Sequence, residues 1–238
     1  VSTAAAEVCD RPLTVGFESW PPFQIKEGSE VKGIDIEIIR EVGKRTGCEM
    51  SLKESPWKRQ LRGAQTGEID IVPAANKTEE RDEYALWTDS YLPYSSILWV
   101  NSEDNTDYKN LTQFLGTGKT VGKIRGVTLG KKADDILSKD AYSDQVKENK
   151  STKLNIRMTN AGRLDGLIDN SLVVGYTANQ EGIRDSIRRT EVTVLSDPLH
   201  FLLSEKTMTN DIVQAFNKAL QNMKDDGVIQ DIVDKYTN

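Results

Sequence analysis

The sequence contains very little histidine, and it has no long apolar segment. Its single histidine, His200, has no second histidine or nearby cysteine at the spacing of metal ligands, so we predict no metal site. No Gly-x-Ser-x-Gly, phosphate-binding-loop or dinucleotide-binding motif occurs, which argues against the common hydrolase and nucleotide sites. No apolar run approaches the ~20 residues that a membrane-spanning helix needs.

The charges argue against one class of partner. The 238 residues include 31 Lys and Arg and 37 Asp and Glu, which gives a formal net charge of −6. Acids and bases are mixed along the chain, whereas nucleic-acid binding depends on clustered cations. We therefore expect no nucleic-acid partner for this globular composition.

Two features near the amino terminus indicate a secreted chain. Residues 1–7 contain three consecutive alanines and resemble the remnant around a signal-peptidase site, although the charged and apolar parts of a signal peptide are absent. Cys9 and Cys48 each precede a predicted strand, so neighbouring strands would bring them within disulfide reach. Two isolated buried thiols are the alternative. We predict a periplasmic or otherwise extracytoplasmic location.

Strand and helix patterns alternate in the first third of the chain. Residues 13–17, 48–52 and 69–72 are predicted strands, and helical patterns over residues 33–45 and 57–64 lie between them. Such alternation predicts an α/β fold with a parallel sheet flanked by helices.

A weak internal repeat suggests two similar lobes. Gly-Glu-Ile-Asp-Ile-Val at residues 67–72 is echoed by Gly-Arg-Leu-Asp-Gly-Leu at 162–167, and each copy follows a helical pattern. Two amphipathic helices are predicted from Asn210 to the end. No low-complexity linker separates the halves, so the extended segments 95–100 and 199–203 are the candidate connections.

Short motifs follow one another in a particular order: Trp-Pro-Pro-Phe at 20–23, Gly-Ile-Asp at 33–35, Gly-Glu-Ile-Asp at 67–70, Thr-Glu-Glu-Arg at 78–81 and Gly-Arg-Leu-Asp at 162–165. Their order and spacing resemble the family 3 extracellular solute-binding proteins, the periplasmic receptors of polar amino-acid importers. The resemblance implies a two-lobed periplasmic-binding-protein fold of type II, with a sheet and flanking helices in each lobe. The first lobe would contain residues 1–100 and 196–238, and the second lobe residues 101–195. Two hinge strands would let the lobes close on a ligand in the cleft.

In the first lobe, the resemblance makes Arg81 the carboxylate-binding residue, because a planar guanidinium grips a carboxylate through two parallel bonds. The alternative is a surface arginine paired with a neighbouring acid. Trp20 would cover the ligand, Glu18 would be a polar contact or ammonium acceptor, and Ala74 and Asn76 would line the cleft. A core tryptophan and a solvated loop acid are the alternatives for Trp20 and Glu18.

In the second lobe, the resemblance places Val127 and Thr128 where the family completes the carboxylate site, with a helix starting near Val127. Arg125 would add a second cation or only solvate the lobe edge. Asn170 falls where an aspartate usually accepts the ligand's ammonium, and Asp169 comes one place earlier. Either Asp169 takes that role or the ligand is not an ordinary α-amino acid.

Residues 56–59, Pro-Trp-Lys-Arg, resemble a less-characterised branch of the same family that carries Pro-Trp-x-Arg before the second helix. In that branch Trp57 and Arg59 would enter the cleft, and Arg59 would bind another acidic group of the ligand. An exposed helix cation is the alternative for Arg59.

The implied function is extracytoplasmic binding of a small carboxylate-bearing solute, an amino acid in the first place, for delivery to the permease of an ABC importer. We expect a monomer that needs no cofactor and is not an enzyme. Two alternatives stay open: a ligand-sensing module of a signalling system, and a dehydratase acting on a cyclic carboxylic acid beside an acid such as Glu18.

Overall fold

The computed structural model describes residues 8–237, so the segment that resembles a signal-peptidase remnant lies outside the described residues. The strands are β1 (Leu13–Phe17), β2 (Ile25–Glu27), β3 (Glu30–Lys32), β4 (Met50–Glu54), β5 (Ile71–Ala75), β6 (Ala85–Trp87), β7 (Leu92–Asn101), β8 (Val121–Ile124), β9 (Val146–Asn149), β10 (Gly166–Asn170) and β11 (Ile187–Ser204). The helices are α1 (Ile34–Thr46), α2 (Trp57–Thr66), α3 (Glu79–Asp82), α4 (Leu111–Gly116), α5 (Lys131–Leu137), α6 (Thr152–Asn160), α7 (Ser171–Gln180), α8 (Asn210–Asp225) and α9 (Val228–Thr237). Within this part of the chain, no helix has the length and apolar character that crossing a membrane requires.

The chain divides into two units. The first unit runs to Pro93 and resumes over Pro198–Tyr236, and the second unit covers Tyr94–Asp197. The sequence placed the changes of lobe at residues 101 and 196. In the structure both changes lie inside long strands, β7 and β11, so the strand pattern continues through the boundary and gives no signal of it.

The first unit contains a mixed sheet. Its strand order is β4-β1-β5-β11, and β6 also pairs with β11. β1 is parallel to β4 and β5, as the alternating pattern predicted, whereas β11 is antiparallel to β5 and β6. That antiparallel strand comes from late in the chain, where no alternation of strand and helix points to it.

Helix α1 shows why the first unit could be predicted well. Its apolar stripe, Ile36, Ile39 and Val42, is fully buried, and the helix packs on α8. It ends at Gly47, which has a φ of 74° and donates its N–H to Gly43 O. A left-handed residue at this position favours glycine, which has no Cβ to clash.

The second unit has its own sheet in the order β7-β10-β8-β9. β10 is antiparallel to β7 and parallel to β8, and β8 is parallel to β9. Leu98 of β7, Phe114 of α4 and Ile168 of β10 belong to one buried core cluster of this unit. The unit therefore has a core that its own sequence supplies.

The internal repeat has a structural counterpart in each unit. β1 lies between β4 and β5, and β8 lies between β9 and β10. Asp70 Oδ2 accepts the N–H of Thr14 at 2.7 Å, and the Asp70 N–H donates to Thr14 O at 2.9 Å. Asp165 and Thr120 make the same pair of bonds at 2.8 and 3.1 Å. The repeated aspartate thus ties the start of β5 to β1 in the first unit, and the start of β10 to the start of β8 in the second unit.

The structure joins Cys9 and Cys48 by a disulfide whose Cα atoms are 5.2 Å apart. Cys9 precedes β1 and Cys48 precedes β4, and these strands pair with Leu13 opposite Met50. The bridge therefore ties together the starts of two neighbouring strands.

Candidate ligand-binding site

Arg81 lies on the short helix α3, which follows β5. The Oγ1 of Thr78 accepts the N–H of Arg81 at 3.3 Å, so Thr78 caps this helix. The guanidinium Nη1 donates to Asn76 O at 2.7 Å, and the guanidinium carbon lies 5.5 Å from the ring centre of Trp57. Among residues 8–237, no carboxylate forms an ion pair with the half-buried Arg81, in contrast to the alternative of a surface pair. Most of its five N–H donors are therefore available for an anion.

Glu18 acts on Trp57 through the start of α2. Its Oε2 accepts the N–H of Trp57, the first residue of that helix, at 2.8 Å. An anion is favourable here because the first N–H groups of a helix lack partners within the helix. Glu18 therefore holds in place the residue whose ring lies on Arg81.

Trp20 belongs to the loop after β1. Its ring stacks on the buried ring of Phe23, with centroids 4.4 Å apart and planes inclined by 21°. The backbone N–H of Trp20 donates to the backbone carbonyl of Gln24 at 2.7 Å. One face of this half-buried tryptophan is thus fixed by the core, as a residue that covers a ligand requires.

A buried carboxylate, Asp35, connects these segments. Asp35 Oδ2 accepts from Gln24 Nε2 at 3.0 Å, and Asp35 Oδ1 accepts from Tyr91 Oη at 2.7 Å. Gln24 Oε1 accepts the Glu18 N–H at 2.9 Å, and Tyr91 Oη accepts the Ala74 N–H at 3.0 Å. Burial raises the pKa of Asp35 to about 7, although both hydrogen bonds act in the opposite direction. Sequence reasoning gave Gln24 and Tyr91 no role in the site, because their contacts with Asp35 join residues that are distant in the sequence.

Arg59, also on α2, has a different environment. It is exposed on α2, and its charge acts on Glu68. The hydrogen bond from Lys53 is the main reason why the pKa of Glu68 lies below its usual value, and Arg59 adds a smaller effect. This environment favours the exposed helix cation over the ligand contact.

In the second unit, the helix predicted near Val127 does not start there. Helix α5 begins at Lys131, after Gly130 with a φ of 85°. The prediction was wrong because Asp134 accepts the Leu129 N–H at 3.1 Å and the Thr128 hydroxyl, which holds this stretch as a loop. Val127 is 42% exposed in that loop, without the favourable end of a helix dipole.

A small cavity of the second unit brings Val127, Thr128 and Asp169 together. The buried Asp169 accepts from Thr152 Oγ1 at 2.6 Å and from the Asn170 N–H at 2.7 Å. Burial raises the pKa of Asp169, and these two bonds partly offset the effect. A cation placed beside a buried carboxylate of this kind stabilises its ionised form.

Asn170 and Arg125 do not line that cavity. Asn170 Oδ1 accepts the N–H groups of Leu172 and Val173 at 3.0 and 3.1 Å and so caps α7. Arg125 is exposed and donates to Glu148 O at 3.3 Å. Of the predicted residues in this stretch, the one that brings a carboxylate to the cavity is therefore Asp169.

The cavity is also lined by residues that were not among the predicted site residues, of which Tyr94, Ser96 and Lys123 are polar or charged. Tyr94 and Ser96 belong to β7. They are two positions apart on β7, so the period of two along a strand puts both on one face. Burial and the charge of Asp169 raise the pKa of Tyr94 to about 12. The strand alternation was the available signal for this pair.

Two α/β units with polar groups at the ends of their strands define a two-lobed solute-binding protein. The chain belongs to the bacterial extracellular solute-binding proteins, family 3, whose family model matches residues 13–238. The family resemblance and the α/β fold class read from the sequence are both confirmed.

The chain is similar over most of its length to named binding proteins. The L-cystine-binding protein TcyA of Bacillus subtilis is 27% identical over 231 residues, which cover 94% of this chain and 80% of that protein. The L-cystine-binding protein TcyJ of Escherichia coli is 25% identical over 237 residues, with 94% and 82% covered. Substrate-binding domain 2 of GlnP from Lactococcus lactis has a TM-score of 0.77 at 20% identity, with 98% of this chain and 97% of that chain covered, and it shares the fold.

Proposed function

We propose that this chain binds a small solute through its carboxylate, an amino acid in the first place, outside the cytoplasm and delivers it to the permease of an ABC importer. The observation that carries the proposal is the environment of Arg81. Its guanidinium is held by Asn76 O and the Trp57 ring, and no acid within the described residues forms an ion pair with it. Relatives named for cystine binding support an amino-acid ligand.

The support around Arg81 suits a carboxylate in particular. A guanidinium fixed by one carbonyl and one ring keeps its other N–H groups in a defined plane. Two carboxylate oxygens match two parallel N–H groups of that plane. Because the side chain is already ordered, binding costs less conformational entropy than it would with a free arginine.

The proposal is tested by measuring the unfolding temperature against the amino acids, cystine and small dicarboxylates. A bound ligand at 100 times its Kd stabilises the folded state by about 2.7 kcal/mol, so at least one amino acid should raise the unfolding temperature clearly. A response only to acids without an amine would contradict the amino-acid part. Turnover of a cyclic acid in the same set would favour the dehydratase, and no response to any acid would contradict the proposal.

We also propose that Asp169, rather than Asn170, accepts the ammonium of an amino-acid ligand. Asp169 offers a buried carboxylate in the cavity of the second unit, whereas the oxygen of Asn170 is used to cap α7. An ammonium would offset the desolvation of the Asp169 charge.

Asp169→Asn should weaken binding of an α-amino acid by about 100-fold, since loss of one partner of a buried charge pair costs about 2–5 kcal/mol. Binding of the matching carboxylic acid without the amine should change little. Calorimetric titration of both ligands measures the difference, and Asp185→Asn, at an exposed acid of the same unit, is the matched control. An equal loss for both ligands would remove Asp169 from the ammonium site.

A further inference from the structure

A continuous series of hydrogen bonds runs from the loop after β1 to the end of β5, with Asp35 at its centre. Its members are Glu18 N–H, the Gln24 side chain, Asp35, the Tyr91 hydroxyl and Ala74 N–H. All four bonds are between 2.7 and 3.0 Å long. Both ends are backbone groups of predicted ligand-binding residues.

The direction of every bond in this series is fixed. A backbone N–H can only donate, so the Tyr91 oxygen accepts from Ala74 and its one hydrogen goes to Asp35. Likewise the Gln24 oxygen accepts from Glu18, and its amide hydrogens face Asp35. Two donors therefore converge on Asp35, one on each oxygen, and the ionised carboxylate is the better acceptor for both. These two halves of the series, through Gln24 to Glu18 and through Tyr91 to Ala74, are called its arms. A proton on one oxygen turns that oxygen into a hydroxyl, which is a weaker acceptor, and so weakens one arm.

Both arms end at Arg81. On one side, Glu18 holds the first N–H of α2 at Trp57, whose ring lies 5.5 Å from the guanidinium carbon. On the other side, Ala74 lies near the end of β5, two residues before Asn76, whose carbonyl accepts from Arg81. Ala74 has a φ of 56°, a left-handed conformation that an alanine keeps only when its surroundings hold it.

We propose that Asp35 is a positioning residue for the ligand-binding arginine: its ionised form holds both arms against Arg81, and its protonated form weakens one of them. This inference rests on the proposed function, because Arg81 is taken there as the carboxylate-binding group. It adds a specific residue, outside the ligand contacts, on whose charge the binding geometry depends.

Other groups near this series can titrate: Tyr91, which contacts Asp35, and His200, which lies opposite Ala75 and whose pKa is lowered by burial. His200 lies beside the Ala74 end of the series, so a midpoint shared with Glu18 assigns the titration to Asp35. Tyr91 is the titratable group in direct contact, and its ring is stacked on Phe201 at 4.3 Å. Glu37 and Tyr236 interact with each other at the start of α1. Burial also raises the pKa of Tyr91 far above its ordinary value, so Tyr91 stays neutral while Asp35 titrates.

Stability and affinity should depend on pH in opposite directions. The pKa of Asp35 in the folded state, about 7, lies above the value of roughly 4 for an unfolded aspartate. Its contribution to stability is therefore complete below pH 4 and is lost as the pH rises through 7. Affinity should instead rise over the upper part of this range, because ionised Asp35 is the form that holds both arms.

The first experiment needs no ligand. In an NMR titration of the intact protein, the amide protons of Glu18 and Ala74 should shift with one common midpoint near pH 7. Tyr91→Phe keeps the ring on Phe201 and should abolish the Ala74 titration while leaving that of Glu18. Asp35→Asn should abolish both.

The Thr14 amide is an internal control, because its acceptor is Asp70. Hydrogen bonds from Arg11, Thr207 and Thr14 outweigh burial and hold the pKa of Asp70 below its usual value, so Thr14 should not titrate near pH 7. Different midpoints for Glu18 and Ala74, or a persisting Ala74 titration in Tyr91→Phe, would overturn the proposal.

The second experiment measures Kd between pH 6 and pH 8 for an amino acid found in the screen. Affinity of the wild type should fall between pH 8 and pH 6 by at most about tenfold, because roughly a tenth of Asp35 is ionised at pH 6. Asp35→Asn should bind more weakly than the wild type at pH 8 and show no such step. An unchanged step in Asp35→Asn would overturn the proposal. If no solute binds at all, the proposed function fails, and the amide titration still decides whether Asp35 holds the two arms.

Discussion

Arg81→Ala should abolish detectable binding of the amino acid found in the screen and leave the protein folded. The variant removes the group that we propose binds the ligand carboxylate, and loss of such a partner costs about 2–5 kcal/mol or roughly 30- to 5000-fold in Kd. The half-buried side chain makes one hydrogen bond and one ring contact in the described structure, so unfolding should change far less than binding. Calorimetric titration and thermal unfolding of the same samples separate the two effects.

Two further variants sharpen the interpretation of Arg81→Ala. Arg81→Lys keeps the charge but not the planar pair of donors, and it should restore only part of the affinity. Arg40→Ala is the matched control, because Arg40 is an exposed arginine of the same unit that also donates one bond to a carbonyl, Val31 O at 2.9 Å. Wild-type affinity in Arg81→Ala would exclude Arg81 from the site.

Removal of the disulfide by Cys9→Ala together with Cys48→Ala should lower the free energy of unfolding of the first unit by about 4 kcal/mol. The bridge closes a loop with a sequence separation of 39 residues, and this loss follows from the larger entropy of the unbridged unfolded chain. Urea unfolding followed by tryptophan fluorescence measures the change.

Reduction provides the control for the disulfide prediction. The reduced wild type should unfold at the same urea concentration as the double variant, and a reducing agent should not affect the double variant. A difference of less than 1 kcal/mol between oxidised and reduced wild type would show that the bridge adds little to the starts of β1 and β4.

The features that the sequence predicted well are those with a local pattern. The buried stripe of α1 recurs at helical spacing and ends at a glycine, so the helix can be recognised from adjacent residues. The start of the helix that carries Arg81 is also marked locally, because Thr78, three residues before Arg81, caps it. In both cases the physical cause acts within a few residues.

The features that escaped prediction depend on contacts between distant residues. Asp35 meets Gln24 and Tyr91 across separations of 11 and 56 residues, which no periodicity relates. The start of α5 was also missed, because the carboxylate of Asp134 reaches back to Leu129 and delays the helix. Asn170 falls at the position expected for an ammonium acceptor, yet its oxygen is occupied by the N–H groups of α7.

The pairing of β5 with β11 has a consequence for the order of folding. Ile71 and Val72 face Leu203 and Leu202, which leave the ribosome only after the whole second unit has been made. Until then one edge of β5 has no strand beside it, and an open edge of this kind is a template for association with other chains. Residues 94–197 are continuous in sequence, so their sheet can form before residues 198–204 of β11 complete the sheet of the first unit.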